Sequence, residues 1–202
     1  MDSLTALNRA YDACRKALAA RTDILGETGR PVFGEGPLCP LAMLVGEAPG
    51  AEETEAGRPF VGRAGKNLEG FLQAVELPRS ALFVTNAVKY RPFRTGASGR
   101  KSNRTPTKAE LEAGRALLLE EIRLVRPGLI VTLGNSPLFA LTGHGDVGAR
   151  HGTLVPSPQG DIFALYHPAS LIYRPSLSEV YRQDMEKLSA LLRRRAGGPS
   201  GF

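Results

Sequence analysis

Apolar positions recur along this chain with two periods, and their alternation predicts layers of helix and strand. Leu4, Leu7, Tyr11, Cys14 and Leu18 are spaced by three and four, so Ser3 to Ala20 reads as an amphipathic helix. Glycines and prolines around Val32-Phe33 predict a short strand or extended lead-in. Ala42 to Val45 is a first short strand, broken by Gly46-Glu47-Ala48-Pro49-Gly50. Arg63 to Val75 places Leu68, Phe71, Leu72 and Val75 on one helical face, and Leu82 to Val88 follows as a second strand. Arg91 to Thr105 lacks apolar periodicity and reads as a long, mobile surface loop. A T-x-x-E capping box at Thr107 and Glu110 then opens a helix over Ala109 to Val125, with Leu118, Ile122 and Val125 toward the sheet.

The remaining pattern repeats this alternation. Leu129 to Leu133 is a continuous apolar run, as a buried parallel strand requires. Gly134-Asn135-Ser136-Pro137 turns it into a short helix ending at Thr142, and Ile162 to Tyr166 is the last strand. His144 and His151 flank a Gly-rich stretch and read as loop histidines. Leu177 to Arg195 forms the closing helix. The order predicts a three-layer α/β/α sandwich around a central, mainly parallel four-stranded sheet. One domain over residues 1–196 is expected, with 197–202 a disordered tail.

Composition narrows the class of function. At 202 residues and 42% hydrophobic content, the chain is long and apolar enough for one sizeable core. No apolar run approaches the ~20 residues that span a bilayer, and no signal-peptide succession opens the chain. A cytoplasmic, nucleoid-associated protein without membrane partner is expected. Cys14 and Cys39 alone make no disulfide framework. The net charge is +6, and from Lys89 to Lys108 seven basic residues occur with no acidic one. Such a run is most often a solvated loop, but beside a ligand pocket it reads as a phosphate-contacting surface.

Chemistry concentrates at the strand ends. In an open α/β sheet, ligands bind in the crevice beyond the carboxyl ends of the strands, where Glu47, Asn86 and His167 are all expected. The turn from Gly46 to Gly50 offers free backbone N–H groups, the following loop carries Phe60, and Gly62 to Gly65 opens a helix toward the same mouth.

The stretch from Leu44 to Gly65, LVGEAPGAEETEAGRPFVGRAG, resembles the first motif of the family 4 uracil-DNA glycosylases. Thr85-Asn86 is similar to that family's uracil-reading motif, and His167-Pro168-Ala169-Ser170 to its closing motif. The resemblance implies a monofunctional glycosylase that flips uracil from single- or double-stranded DNA and leaves an abasic site. It implies uracil contacts from Gly46, Ala48, Pro49, Gly50, Phe60, Asn86 and Ser170. Phe60 would stack on the base and Asn86 would read its O4 and N3–H edge. His167 would donate to O2 as charge develops there, and Glu47 would position water or steady the sugar cation. The plainer readings are core packing for Phe60, a turn cap for Asn86 and an ion pair to Arg58 or Arg63 for Glu47. Lys89, Arg91, Arg94, Arg100, Lys101, Arg104 and Arg174 are the expected DNA contacts, with Leu171, Ile172 or Tyr173 as a wedge, Leu171 foremost. Glu52, Glu53 and Glu55 read as solvated loop acids.

Two departures qualify the resemblance. The family's iron–sulfur cluster needs four cysteines, but Cys14 is followed by Ala17, Tyr90 and Gly114 at the other positions, so no metal and no cofactor are expected. The basic loop is similar to that of the UdgX group, which bonds covalently to DNA through a loop histidine; Asn103 stands there, and an amide is no nucleophile. Turnover rather than a dead-end adduct is therefore expected; a monomer with no obligate protein partner is the default for a base-flipping enzyme of this size. A non-catalytic binder of uracil or abasic DNA is the alternative, and a small-molecule nucleotide hydrolase would leave the basic loop unexplained.

Overall fold

The computed structural model describes residues 2–20 and 29–197; of the predicted tail 197–202, Gly197 is the last residue of the closing helix and the rest lies outside the described residues. Helix α1 (Ser3–Ala19) starts where the Asp2 carboxylate accepts the Thr5 amide at 2.9 Å, and it buries Leu7 and Tyr11. Strand β1 (Ala42–Gly46) leads to the short helix α2 (Ala51–Ala56) and then α3 (Arg63–Ala74). Strand β2 (Leu82–Asn86) is followed by β3 (Phe93–Thr95), β4 (Lys101–Asn103) and helix α4 (Lys108–Val125). The predicted capping box is present: the Thr107 hydroxyl accepts the Glu110 amide and the Glu110 carboxylate accepts the Thr107 amide. Strand β5 (Ile130–Leu133), helix α5 (Asn135–Thr142), strands β6 (Leu154–Val155) and β7 (Ile162–Leu165), the single turn α6 (Ser170–Tyr173) and α7 (Ser178–Gly197) complete the chain.

The central sheet runs β2-β1-β5-β7-β6. The four predicted strands are parallel, and β6 adds an antiparallel edge, so the sheet has five strands rather than four. With two residues, β6 is too short to leave a period-two signal. Strand alternation divides the core. Met43, Val45, Phe83 and Ile130 face α1, α4 and α5, whereas Leu44, Val84, Val131 and Leu165 face α3 and α7. Among the described residues, no helix is long and apolar enough to cross a membrane.

The stretch expected as a mobile loop is instead ordered around an antiparallel hairpin, with Phe93 opposite Asn103 and Thr95 opposite Lys101. Its strands are Phe-Arg-Thr and Lys-Ser-Asn, which offer no apolar alternation to read. The Lys101 ammonium lies 4.4 Å from the centre of the Phe93 ring and the Arg91 guanidinium 5.8 Å from it, so one aromatic gathers two cations.

Register sets the stage for the site. Gly46 pairs with Asn86, and Leu133 with Leu165, so the carboxyl ends of all four parallel strands come level. The chain leaves β1 toward β2 on one side and returns as β5 on the other, which makes the β1/β5 crevice the topological switch point.

Candidate active site

A cavity of about 580 Å³ opens at these strand ends. Its lining includes Glu47, Ala48, Pro49, Gly50, Phe60, Asn86, His167 and Ser170, which brings eight of the nine candidate catalytic and uracil-binding residues around one space. The ninth, Gly46, lies underneath. A Cβ there would come within 2.4 Å of the Asn86 side-chain oxygen and 2.5 Å of the Phe60 ring, so only a hydrogen at Gly46 lets those two side chains meet over the strand end.

Phe60 is presented under backbone strain. Its φ is +55°, in the left-handed region that a bulky residue rarely adopts. Arg79 holds the turn by donating to the Pro59 carbonyl at 2.7 Å and to the Phe60 carbonyl at 3.4 Å. Gly65 permits the approach of α3, because a Cβ there would sit 2.0 Å from the Phe60 carbonyl oxygen.

His167 follows β7 and stands 6.1 Å from Phe60, centre to centre. Its Nδ1 accepts the Ala169 amide at 3.1 Å, so the remaining proton of the neutral ring sits on Nε2. Desolvation pushes its pKa down to about 4, against a weaker opposite pull from Glu53. The ring is therefore a neutral hydrogen-bond donor at physiological pH. Asn86 is 2% exposed, and its side-chain amide finds no hydrogen-bond partner among the described residues, leaving donor and acceptor for a ligand.

Glu47 follows β1 and accepts a hydrogen bond from the Ser136 hydroxyl at 2.6 Å, across the switch point. Burial raises its pKa, and the Ser136 bond opposes that rise. Arg58 is engaged elsewhere, on Glu35 at 2.9 and 3.1 Å, so the proposed Arg58 pairing for Glu47 does not form. Ser136 was visible in the sequence only as part of a turn. Glu53 is likewise more than a solvated acid: its two oxygens accept the Gly62 amide at 2.8 Å and the Gly50 amide at 3.1 Å, tying the first turn to the Phe60 loop. Half of a signal was present, since Glu53 stands three residues after the Gly50 N-cap, as the acid of a capping box does, although glycine has no side chain to return the bond.

Residues 33–190 match the Uracil DNA glycosylase superfamily. A type-4 uracil-DNA glycosylase of Pyrobaculum aerophilum is 37% identical over 163 residues, covering 76% of this chain and 79% of that protein. One from Archaeoglobus fulgidus is 32% identical over 203 residues, 95% of this chain and 94% of its own, and one from Thermotoga maritima is 34% identical over 168 residues, 81% and 83% of the two chains. The chain belongs to the uracil DNA glycosylase superfamily.

Two expected DNA contacts of this superfamily member are corrected by their surroundings. Lys89 is 3% exposed and its ammonium is paired with Glu121 at 2.5 Å, so it faces the core and not a phosphate. Leu171 is 7% exposed and packs into the α3/α7 side of the core, because α6 turns it inward. The same turn brings Ile172 and Tyr173 to the cavity, with Tyr173 80% exposed. Arg94, Arg100, Lys101 and Arg174 are exposed away from the cavity lining, and Arg91 is half-buried. Arg104 reaches the rim, but its guanidinium is held by Glu110 at 2.6 and 2.9 Å. Asn103 also reaches the rim, where its side-chain oxygen accepts from Arg91 at 2.7 Å.

The positions that the resemblance gives to iron–sulfur ligands do not fit a cluster. Cys14 is half-buried, Ala17 has no donor, and the Tyr90 hydroxyl donates to Glu110 at 3.0 Å. A Cβ at Gly114 would meet the Ala87 carbonyl oxygen at 2.4 Å, so no ligating side chain has room there. One thiolate cannot hold such a cluster.

Proposed function

We propose that this chain is a monofunctional uracil-DNA glycosylase that works without an iron–sulfur cluster, acting on uracil in cytoplasmic, nucleoid DNA. The observation that carries the reading is the neutral Nε2–H of His167 sharing one cavity with Phe60 and the Asn86 amide. Together they meet the three demands of the reaction. A flipped pyrimidine stacks on Phe60. Asn86 pairs with O4 and N3–H of uracil, and cytosine, with the opposite pattern, leaves a buried amide mismatched at ~1 to 3 kcal/mol.

As the glycosidic bond stretches, negative charge collects on the departing base. A fixed neutral donor at uracil O2 stabilises that charge, and such donors lower a barrier by ~2.7 to 4 kcal/mol. Glu47, steadied by Ser136, orients the attacking water or balances the cationic sugar. The water supplies its hydroxyl to C1′ and its proton to the departing base, so the products are free uracil and an abasic site. Among the described residues no lysine lines the cavity, which supports hydrolysis over Schiff-base chemistry. The exposed hairpin cations engage phosphate, and Tyr173 takes the wedge role first expected of Leu171.

The test is a labelled uracil oligonucleotide, single-stranded or paired with G or A, treated with alkali after incubation. Wild type gives alkali-labile product, whereas His167→Ala and Asn86→Ala lose it. Binding to uracil-DNA without product would leave a damage-binding protein; a covalent band on a denaturing gel would overturn turnover.

A further inference from the structure

Beneath Asn86 lies a buried charge network that the pocket chemistry does not use. Lys89 and Glu121 have side chains only 2% and 0% exposed. The ammonium has three protons, and three acceptors surround it: Glu121 at 2.5 Å, the Thr85 hydroxyl at 2.6 Å and the Asn86 backbone carbonyl at 2.7 Å. Glu121, on α4, also accepts from Tyr11 of α1 at 2.7 Å and from Thr85 at 3.2 and 3.1 Å. Desolvation lowers the Lys89 pKa while Glu121 opposes it.

Such a pair is no obvious source of stability, since apolar residues of like volume often serve as well. Its particular product is the third bond. Strand β2 is a sheet edge. Ala87 donates to the Gly46 carbonyl on the β1 side, and Val84 exchanges bonds with Glu35 on the outer side. Alternation therefore turns the Asn86 carbonyl outward with Val84, past the end of that bridge, where no strand among the described residues meets it. Lys89 supplies the donor that this buried carbonyl lacks.

We propose that Lys89, locked by Glu121, is a positioning residue for Asn86: it fixes the Asn86 peptide plane and so aims the side-chain amide at the base edge. The inference rests on the base-reading role given to Asn86 above. It also accounts for a lysine at the head of a basic run being withdrawn from solvent. The network links α1, β2 and α4 to the reading residue through one carboxylate, and its effect is on orientation rather than on substrate contact.

The variant that separates aim from stability is Lys89→Met with Glu121→Gln. It removes both charges and leaves Tyr11 and Thr85 an amide partner. Expected are a retained cooperative unfolding transition, unchanged affinity for uracil-free DNA and a single-turnover excision rate lower by ~10²-fold, the scale of a small misplacement at a reacting centre. Adding Asn86→Ala then lowers the rate far less than it does in wild type, as coupled residues require. A folded variant that excises at the wild-type rate, or an Asn86→Ala effect of equal size in both backgrounds, overturns the proposal. If the pair variant does not fold, Lys89→Arg, which retains the charge but not the compact three-proton head, carries the same cycle. A wild type inactive on uracil would remove the base-reading role instead. The ¹⁵N side-chain amide signals of Asn86 then decide: sharp in wild type and broadened or doubled in the variant supports the aiming role, and identical signals overturn it.

Discussion

Lys89 and Lys101 belong to one acid-free stretch of sequence, yet the fold sends them to opposite environments. Lys89 has its charge matched inside the core by Glu121, whereas Lys101 lies on an exposed strand above the Phe93 ring. A run of like charges is therefore not one surface. A lysine three residues beyond a strand whose last carbonyl is buried and turned outward is drawn in, because that carbonyl must be paired. Cations on a hairpin with no apolar alternation stay at the surface, because a charged side chain is buried only where a buried partner draws it in.

The largest effect that would sharpen this contrast is on stability. Lys89→Met alone leaves the Glu121 carboxylate buried without its ammonium and should destabilise the fold by ~3 to 5 kcal/mol, while Arg94→Ala should stay within ~0.5 kcal/mol. Urea unfolding checks both, and equal midpoints would break the distinction. Next comes DNA affinity. Arg94→Ala and Arg100→Ala should each reduce the slope of log affinity against log salt by ~1, with single-turnover excision at saturating DNA unchanged. Titrations at several salt concentrations measure it; a rate loss at saturation would place the hairpin in the chemistry.

Smaller effects concern pH. Removing the Ser136 hydroxyl, in Ser136→Ala, takes away the bond that opposes the raised Glu47 pKa, so the acid limb of the pH–rate profile should move to higher pH. The other is a stability slope. His167 titrates near pH 4 when folded and near its ordinary 6.5 when unfolded, so between these values the unfolded chain binds more protons. The stability that His167 contributes is thus present above ~6.5 and lost as pH falls toward 4. Thermal unfolding across that window should lose this slope in His167→Asn.

Much of the site was legible in the sequence. Glycine and proline punctuation after an apolar run located the turn bearing Glu47, and strand-end logic placed Asn86 and His167 with it. Where reading fell short, the missing information was non-local. Nothing in the order of residues says that Ser136 meets Glu47 across the sheet, that Glu121 reaches Lys89 from a helix on another segment, or that α6 turns Leu171 inward and Tyr173 outward. Glu53 is an intermediate case: its spacing to Gly50 was readable, and its second bond to Gly62 was not.

The alternation of helices and strands, the parallel sheet and the loops at its strand ends could be read from the order of residues alone, because those follow from periodicity, capping and turn residues within a few positions of one another. The tertiary structure decided which charged groups are solvated, which proton His167 keeps, and how Phe60 and Asn86 share the space above Gly46. Those properties depend on burial and on partners distant in the chain, and only packing brings them within the few ångströms over which desolvation and hydrogen bonding act.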